Sequence, residues 1–219
     1  MNGPRPLPPS ASVAHLGEGA KLHAPSAERN AAAIAAALCE IAPKTARALE
    51  IASGTGQHVV AFAAAMPGLI WQPTEIDPAR RASIDAYVAE AGLPNLRAAM
   101  AVDATEADWG KAQAGQALIV LINLLHLIST PEARRIIAEA AQALAPGGRF
   151  ALYGPFLRDG QATSEGDARF HASLTAQDPA IGYKDLAEVE GWLDDAGLTV
   201  APSRQMPANN LFLVAERPG

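Results

Sequence analysis

The stretch Ala48-Leu49-Glu50-Ile51-Ala52-Ser53-Gly54-Thr55-Gly56-Gln57-His58 constrains this chain more than any other. An apolar run of strand length breaks into a Gly-x-Gly turn and resumes as helix. Gly54 and Gly56 permit backbone conformations that other residues resist, and the first amides of the following helix face whatever occupies the turn. In a layered α/β protein such a turn makes room for a nucleotide-derived ligand. Alone, it does not say which ligand.

The chain around this turn alternates strand and helix. Pro25 and Ser26 open an Ala-rich helix to residue 41, with Ile34, Leu38 and Ile41 at helical spacing. Residues 45–51 form the first strand and 57–65 the next helix, closed by Pro67 and Gly68. Residues 69–75 read as a second strand, and Asp77-Pro78 opens a helix to about residue 91. Glu75 lies 25 residues after Glu50, near the distance at which a βαβ unit presents a carboxylate to ribose hydroxyls. Asp77 competes for that role, though a helix N-cap explains it equally well. Residues 96–102 read as a third, alternating strand ending at Asp103; N-capping by Asp103 and core packing by Trp109 stand beside any ligand role.

Residues 117–122 (Ala-Leu-Ile-Val-Leu-Ile) are unbroken and apolar, the pattern of a central strand covered on both faces. Asn123 and His126 follow its end. An amphipathic helix over 129–144 stops at Pro146-Gly147-Gly148, and a fifth strand covers 149–153. From Pro155 to Gly182 the alternation lapses into an irregular insertion, which at a sheet's carboxyl end reads as a lid or substrate loop. A helix over 183–196 precedes two strands, 198–202 and 211–216, whose short connection suits antiparallel pairing, a parallel one normally needing a crossover of a dozen or more residues. The prediction is an α/β fold with a seven-stranded, mostly parallel sheet, an antiparallel last strand and helices on both faces.

The remaining bounds come from composition. Residues 1–24, with Pro4, Pro6, Pro8 and Pro9, read as a flexible arm before a single domain over 25–219. Hydrophobic residues make up 49% and charged residues 18%, enough apolar content for a real core. A net charge of -6 argues against a chain-wide footprint for nucleic acid and favours a small molecule or peptide as substrate. Cys39 excludes an internal disulfide and reads as a buried, inert thiol. No apolar stretch is long enough for a membrane span, and the N-terminus lacks a signal-peptide core, so a cytoplasmic protein is expected. The histidines, His15, His23 and His58 among them, form no metal-ligand spacing, and no metal is expected. Nothing in the sequence specifies an oligomeric state.

Five βα units followed by a terminal β-hairpin resemble the class I S-adenosylmethionine (SAM)-dependent methyltransferases. The segment from Glu50 to Gly56 is similar to their first motif, with Ala52 in place of its first glycine. More closely, the chain resembles the methyltransferase-like protein 26 type, a subfamily of unassigned substrate, over 25–216. The patches are Pro25-Ser-Ala-Glu-Arg29-Asn30, the 49–58 turn, Gln72-Pro-Thr-Glu75, Asn123-Leu-Leu-His126, Leu152-Tyr-Gly-Pro-Phe156 and Met206-Pro-Ala-Asn-Asn210. In that subfamily Ala at position 52 is usual. The chain departs from it in the insertion, where Gly166-Asp167-Ala168-Arg169-Phe170-His171 replaces an expected Ser-Asn-x-x-Phe-Asp.

The resemblance implies roles. Glu50, Ala52, Ser53, Gly54 and Gly56 would bound the methionine part of SAM, with Asn123 near it and Arg29, beside Asn30, pairing with its carboxylate, although without the resemblance a solvated helix end is the favoured reading of Arg29 and Asn30. Glu75 would accept from ribose hydroxyls and Asp103 from the adenine amino group, with Ile76 and Ala104 packed on the ring. Phe156, Phe170, His171, Asn209 and Asn210 are candidate acceptor-site residues, although Asn209 and Asn210 also suit a plain turn. Methyl transfer is an in-line displacement in which alignment supplies much of the rate, leaving S-adenosylhomocysteine (SAH) as product. A base matters only for a hydroxyl or a protonated amine. His126, with Tyr153 second, is the candidate, and packing beside the cofactor is the equal alternative for His126.

Two other readings remain. One is a module that binds SAM or SAH without catalysis. The other is a nicotinamide-dependent oxidoreductase, whose Gly-x-Gly-x-x-Gly fingerprint needs a small residue where this chain has Val59.

Overall fold

The computed structural model describes residues 14–219. Its centre is β5 (Gln116–Ile122), whose side chains obey the two-residue period of a strand. Leu118, Val120 and Ile122 enter one apolar layer, Ile119 and Leu121 the other, and all five are buried. On one side lie β3 (Ala46–Ile51) and then β4 (Leu69–Pro73), both parallel to β5's direction. On the other lie β6 (Leu144–Gly154), parallel to β5, and β9 (Leu211–Glu216), antiparallel to β6. Two short strands, β7 (Thr199–Val200) and β8 (Arg204–Gln205), pair with β9, completing a seven-stranded sheet. The chain runs outward from β3 to β4, then returns to lay β5 on β3's other edge. A crevice therefore opens between the carboxyl ends of β3 and β5.

Helices cover both faces. The first layer holds α1 (Pro25–Ile41), α2 (Gln57–Ala65) and α3 (Pro78–Ala91), which bury Ile34, Leu38, Phe62 and Ile84 against the sheet. The second holds the one-turn α4 (Trp109–Ala112), α5 (Thr130–Ala143) and α7 (Leu186–Asp195), contributing Trp109, Ile136, Ile137 and Leu193. Proline at the first turn starts α1, α3 and α5, and Ser129 with Glu132 closes a capping box on α5. Outside these layers, Leu127, Leu174, Ile181 and Tyr183 form a separate small cluster. At about 1.5–3 kcal/mol per fully buried large side chain, the two sheet layers outweigh it several-fold.

The structure corrects three expectations. Residues 96–102 do not form a full strand; isolated bridges join Leu96 to Trp71 on β4 and Met100 to Thr74 just past its end. Pro73 has no amide to offer the ladder, and the Gln72 side chain instead donates to the Ala98 carbonyl at 2.9 Å. The insertion is not wholly irregular: α6 (Glu165–Gln177) occupies its middle, N-capped by Ser164, whose hydroxyl accepts from the Asp167 amide. Of the expected arm, residues 1–13 lie outside the described residues. The rest includes an antiparallel pair, β1 (His15–Leu16) with β2 (Leu22–His23), tied to the domain through Lys21–Glu90 and the Leu22 amide on Ser83 Oγ. Cys39 is exposed, because it follows Leu38 by one residue, about 100° round the helix from the face that packs.

Candidate functional site

The crevice between β3 and β5 contains a cavity of about 1030 Å³, at the upper end of the range for small-molecule sites. Its floor is the glycine turn. Ala52 and Gly54 both adopt left-handed backbone, with φ of 52° and 60°, and Gly56 has φ of 95°. A side chain on Gly56 would bring its Cβ to 2.8 Å from Ile84 Cα, so the turn packs directly on the α3 backbone. This close approach is the reason for glycine there.

Two carboxylates end the strands beside the turn. Glu50 is buried at 1% exposure, and burial raises its carboxyl to about 8, with a Ser53 hydrogen bond opposing the rise and Glu75 adding to it. Its Oε2 has no partner among the described residues while Glu50 lines the cavity. Glu75 is held differently. Its Oε2 accepts from the Gly54 amide at 3.0 Å, and its Oε1 from the amides of Ile76 and Asp77 at 2.9 and 3.1 Å. Three backbone donors fix this carboxylate in one orientation. Asp77 caps α3 through the Ala79 and Arg80 amides, so the N-cap reading holds although Asp77 also lines the cavity.

Asp103 sits on the wall past β4, its Oδ1 accepting from the Thr105 amide at 2.9 Å and hydroxyl at 2.6 Å. Trp109 is a core residue. Its indole nitrogen donates to the Ala104 carbonyl at 3.0 Å and anchors the loop bearing Asp103 and Ala104. Asn123, with φ of 53°, turns the chain at the end of β5, where its amide donates to the Tyr153 carbonyl.

The far wall comes from the insertion and the 124–128 segment. His126 is buried and makes edge contacts with Phe170 and Tyr183, whose rings also meet each other at 6.1 Å. Burial, with the nearby Lys184 charge, lowers the His126 imidazole to about 3, so it is neutral. Lys184 itself is lowered to about 8 by burial, against the pull of Glu132 and Glu188. Its ammonium donates to the carbonyls of Ile128 and Gly182 at 2.8 and 2.9 Å, bolting the end of the insertion to this segment. Asp167 lies on the rim. Burial pushes its carboxyl up, but hydrogen bonds from Ser164, Asn209, Tyr183 and Thr163 outweigh that and leave it below the usual range.

Most of the sequence-derived candidates meet at this cavity. Arg29, Glu50, Ala52, Ser53, Gly54, Glu75 and Ile76 line it, as do Asp103, Ala104, Asn123, His126, Phe170 and Asn210. Six candidates do not line it. Gly56 lies beneath the turn, and Phe156 is buried in the core of the second layer. Tyr153 is buried in the first layer, hydrogen-bonded to Asn30 and Asn210. Asn30 in turn meets His58 Nε2 at 2.7 Å. His171 Nδ1 accepts from the Tyr183 amide, and Asn209 is committed to Asp167. His58, Tyr183 and Glu132 are wall residues that the sequence-derived set lacks. His58 carries a usable signal, since it stands in the first turn of the helix that the glycine turn launches. No group of three or more His, Cys, Asp or Glu able to hold a metal occurs among the described residues, and no helix there is long and apolar enough to cross a membrane.

Solved structures share this architecture. An O-methyltransferase family protein from Burkholderia thailandensis superposes with a TM-score of 0.77 at 19% identity, covering 89% of this chain and 58% of its own. An O-methyltransferase family 2 protein from Planctomyces limnophilus, in complex with apigenin, gives 0.73 at 20% identity, with coverages of 88% and 60%. PigF with SAH gives 0.72 at 21% identity, with coverages of 87% and 56%. This chain thus spans less than two thirds of their length, and at such identities the likeness establishes the Rossmann-like methyltransferase fold. Residues 21–217 match the model of the family described as "Protein of unknown function (DUF938)", and the chain belongs to that family.

Proposed function

We propose that this chain is a SAM-dependent methyltransferase acting on a small molecule. The observation that carries the reading is the pair of strand-end carboxylates at the switch point, one fixed by three amides and one buried with a free oxygen. The donor set fits the group. Glu50 Oε2 suits the ammonium of the methionine part, whose charge would displace the proton that burial leaves on this carboxyl, and the exposed Arg29 guanidinium, unpaired among the described residues, suits its carboxylate. Glu75 is oriented to accept from ribose hydroxyls, and Asp103 from an adenine amino group between Ile76 and Ala104. SAM would supply an electrophilic methyl group on a sulfonium centre.

The chain's own residues then orient the acceptor and exclude water. His126, with its pKa near 3, is a poor proton acceptor at neutral pH, so we assign it to the wall and not to base catalysis. Tyr153 positions Asn30 and Asn210 from beneath. The solved structures' names support the class: two are O-methyltransferase family proteins, one of them in complex with apigenin, and the third, PigF, holds SAH. The finer resemblance to the methyltransferase-like protein 26 type rests on the sequence patches alone. A SAM-binding module without catalysis shares the cofactor half of the argument. A nicotinamide enzyme is disfavoured by Val59, which is fully buried where the fingerprint needs a small residue.

Calorimetric titration with SAM, SAH and NAD tests the cofactor. Binding of SAM and SAH is expected, and tight NAD binding without a response to SAM would overturn the reading. Transfer of labelled methyl from SAM into small-molecule extracts separates the enzyme from the binding module.

A further inference from the structure

The far end of the cavity has a chemistry of its own. His126, Phe170 and Tyr183 present an aromatic wall, with ring centroids 5.8–6.1 Å apart and interplanar angles of 64–70°. Leu124 and Leu127 add apolar surface, and Asp167 stands at the rim. Among the described residues, Asp167 Oδ2 receives Ser164, Thr163 and Asn209, whereas Oδ1 receives the Tyr183 hydroxyl alone at 3.2 Å. A carboxylate oxygen accepts two or more hydrogen bonds, so Oδ1, with one, has capacity beside the rings. Glu132 adds a second carboxylate, its Oε2 taken by Ser129. Among the described residues no lysine lines the cavity, and the arginines that do, Arg29 and Arg80, come from α1 and α3 beside the glycine turn. Lys184, whose charge acts on His126, is turned into backbone carbonyls.

We propose that this end selects a cationic amine carried on an apolar or aromatic body, the ammonium meeting Asp167 and the body lying along the aromatic wall. This rests on the methyltransferase reading and names the class of substrate bound there, the ammonium serving as its handle and not as the methylated atom. Neutral rings attract cations through their faces, and a fixed carboxylate adds a charge-assisted hydrogen bond. Phenols and carboxylic acids of the same shape lack the first interaction, and acids are repelled by both carboxylates.

The test uses the full chain saturated with SAH and three probes of one shape: phenethylamine, 2-phenylethanol and 3-phenylpropionate, titrated calorimetrically at neutral pH. The amine is expected to bind at least about tenfold more tightly than the alcohol, and the acid least. Asp167→Asn should bring the amine down to the alcohol with SAH affinity unchanged, and Asp167→Glu should restore a preference. Equal or tighter binding of the alcohol or acid, or SAH binding with no binding of the amine, would overturn the proposal while sparing the methyltransferase reading. Failure of SAH to bind strikes that reading instead, and the probe series repeated without SAH still decides the amine preference. Circular dichroism melting checks the fold of the variants. If Asp167→Asn does not fold, the order of the three probes on the unaltered chain supports or overturns the proposal by itself.

Discussion

The cavity's two ends are built by different means. At the glycine turn, backbone groups do the fixing: three amides hold Glu75, and the turn rests on α3 with no space for a methyl group. At the insertion, side chains do it: Lys184 holds two carbonyls, and Asp167 gathers Ser164, Tyr183 and Asn209. The first end stands on the large sheet cores, the second on a cluster of four buried residues. A ligand part common to all members of a fold can be met by backbone, because every sequence supplies amides. A part that varies needs side chains, which can be exchanged without rebuilding the sheet.

Titration should separate the ends most strongly. Glu50 has a folded pKa of about 8, above its ordinary 4.5, so the native state keeps a proton that the unfolded chain releases. Its contribution is fully present below about pH 4.5 and is lost as pH rises through 8, a fall of roughly 4–5 kcal/mol. His126 has the opposite sign. Depressed to about 3, it contributes stability above its ordinary 6.5 that is lost as pH falls toward 3, by a similar amount. His58, lowered to about 4 by burial, adds to the acid limb from the turn side. Denaturant melts across pH 4–9 should lose their alkaline slope in Glu50→Gln and part of their acid slope in His126→Asn. An unchanged alkaline slope in Glu50→Gln would break the contrast.

Next in size is Gly56→Ala, which meets both a left-handed φ and the Ile84 backbone and should cost about 3 kcal/mol in denaturant unfolding. Lys184→Met should cost about 2 kcal/mol by stranding two buried carbonyls, with faster amide exchange in α6 and little change around Glu75. Smallest is Gly166→Ala. Its added methyl meets nothing nearer than Ser164 Oγ at 3.6 Å, inside a helix where alanine is preferred, so thermal melting should show a gain of about 0.5 kcal/mol. If Gly166→Ala destabilises as much as Gly56→Ala, the two ends do not differ in tolerance.

The same division governs what can be read from sequence. The bounds of α2, the central position of β5 and the antiparallel β9 are legible, because each follows from local periodicity or loop length. The cavity wall at the glycine turn is legible too, since strand-end carboxylates and a Gly-x-Gly turn occupy fixed places in such a fold. The strand expected over 96–102 fails because the defect lies in the partner: Pro73 on β4 removes a ladder donor. Helix α6 is hidden because Leu174 is its one buried residue, leaving no apolar stripe; Ser164 with Asp167 three residues later is the available capping signal. Tyr153 and His171 look like site residues by their position at strand end and loop, but their partners, Asn30 and the Tyr183 amide, are contacts across the fold.

The pair of short strands before α1 reaches the glycine turn through hydrogen bonds. The Ala24 amide donates to Gln57 Oε1, which also accepts from the Thr55 hydroxyl, and Ser83 Oγ joins the Leu22 amide to the Thr55 carbonyl. Residue 55 belongs to the glycine turn, and Ala24, Pro25 and Ser26 lie on the cavity's edge. Any occupant that quiets the turn must therefore quiet residues 14–24 as well. Deuterium uptake at Leu22 and Ala24 becomes a remote gauge of occupancy, slowing when a ligand settles more than thirty residues further along the chain.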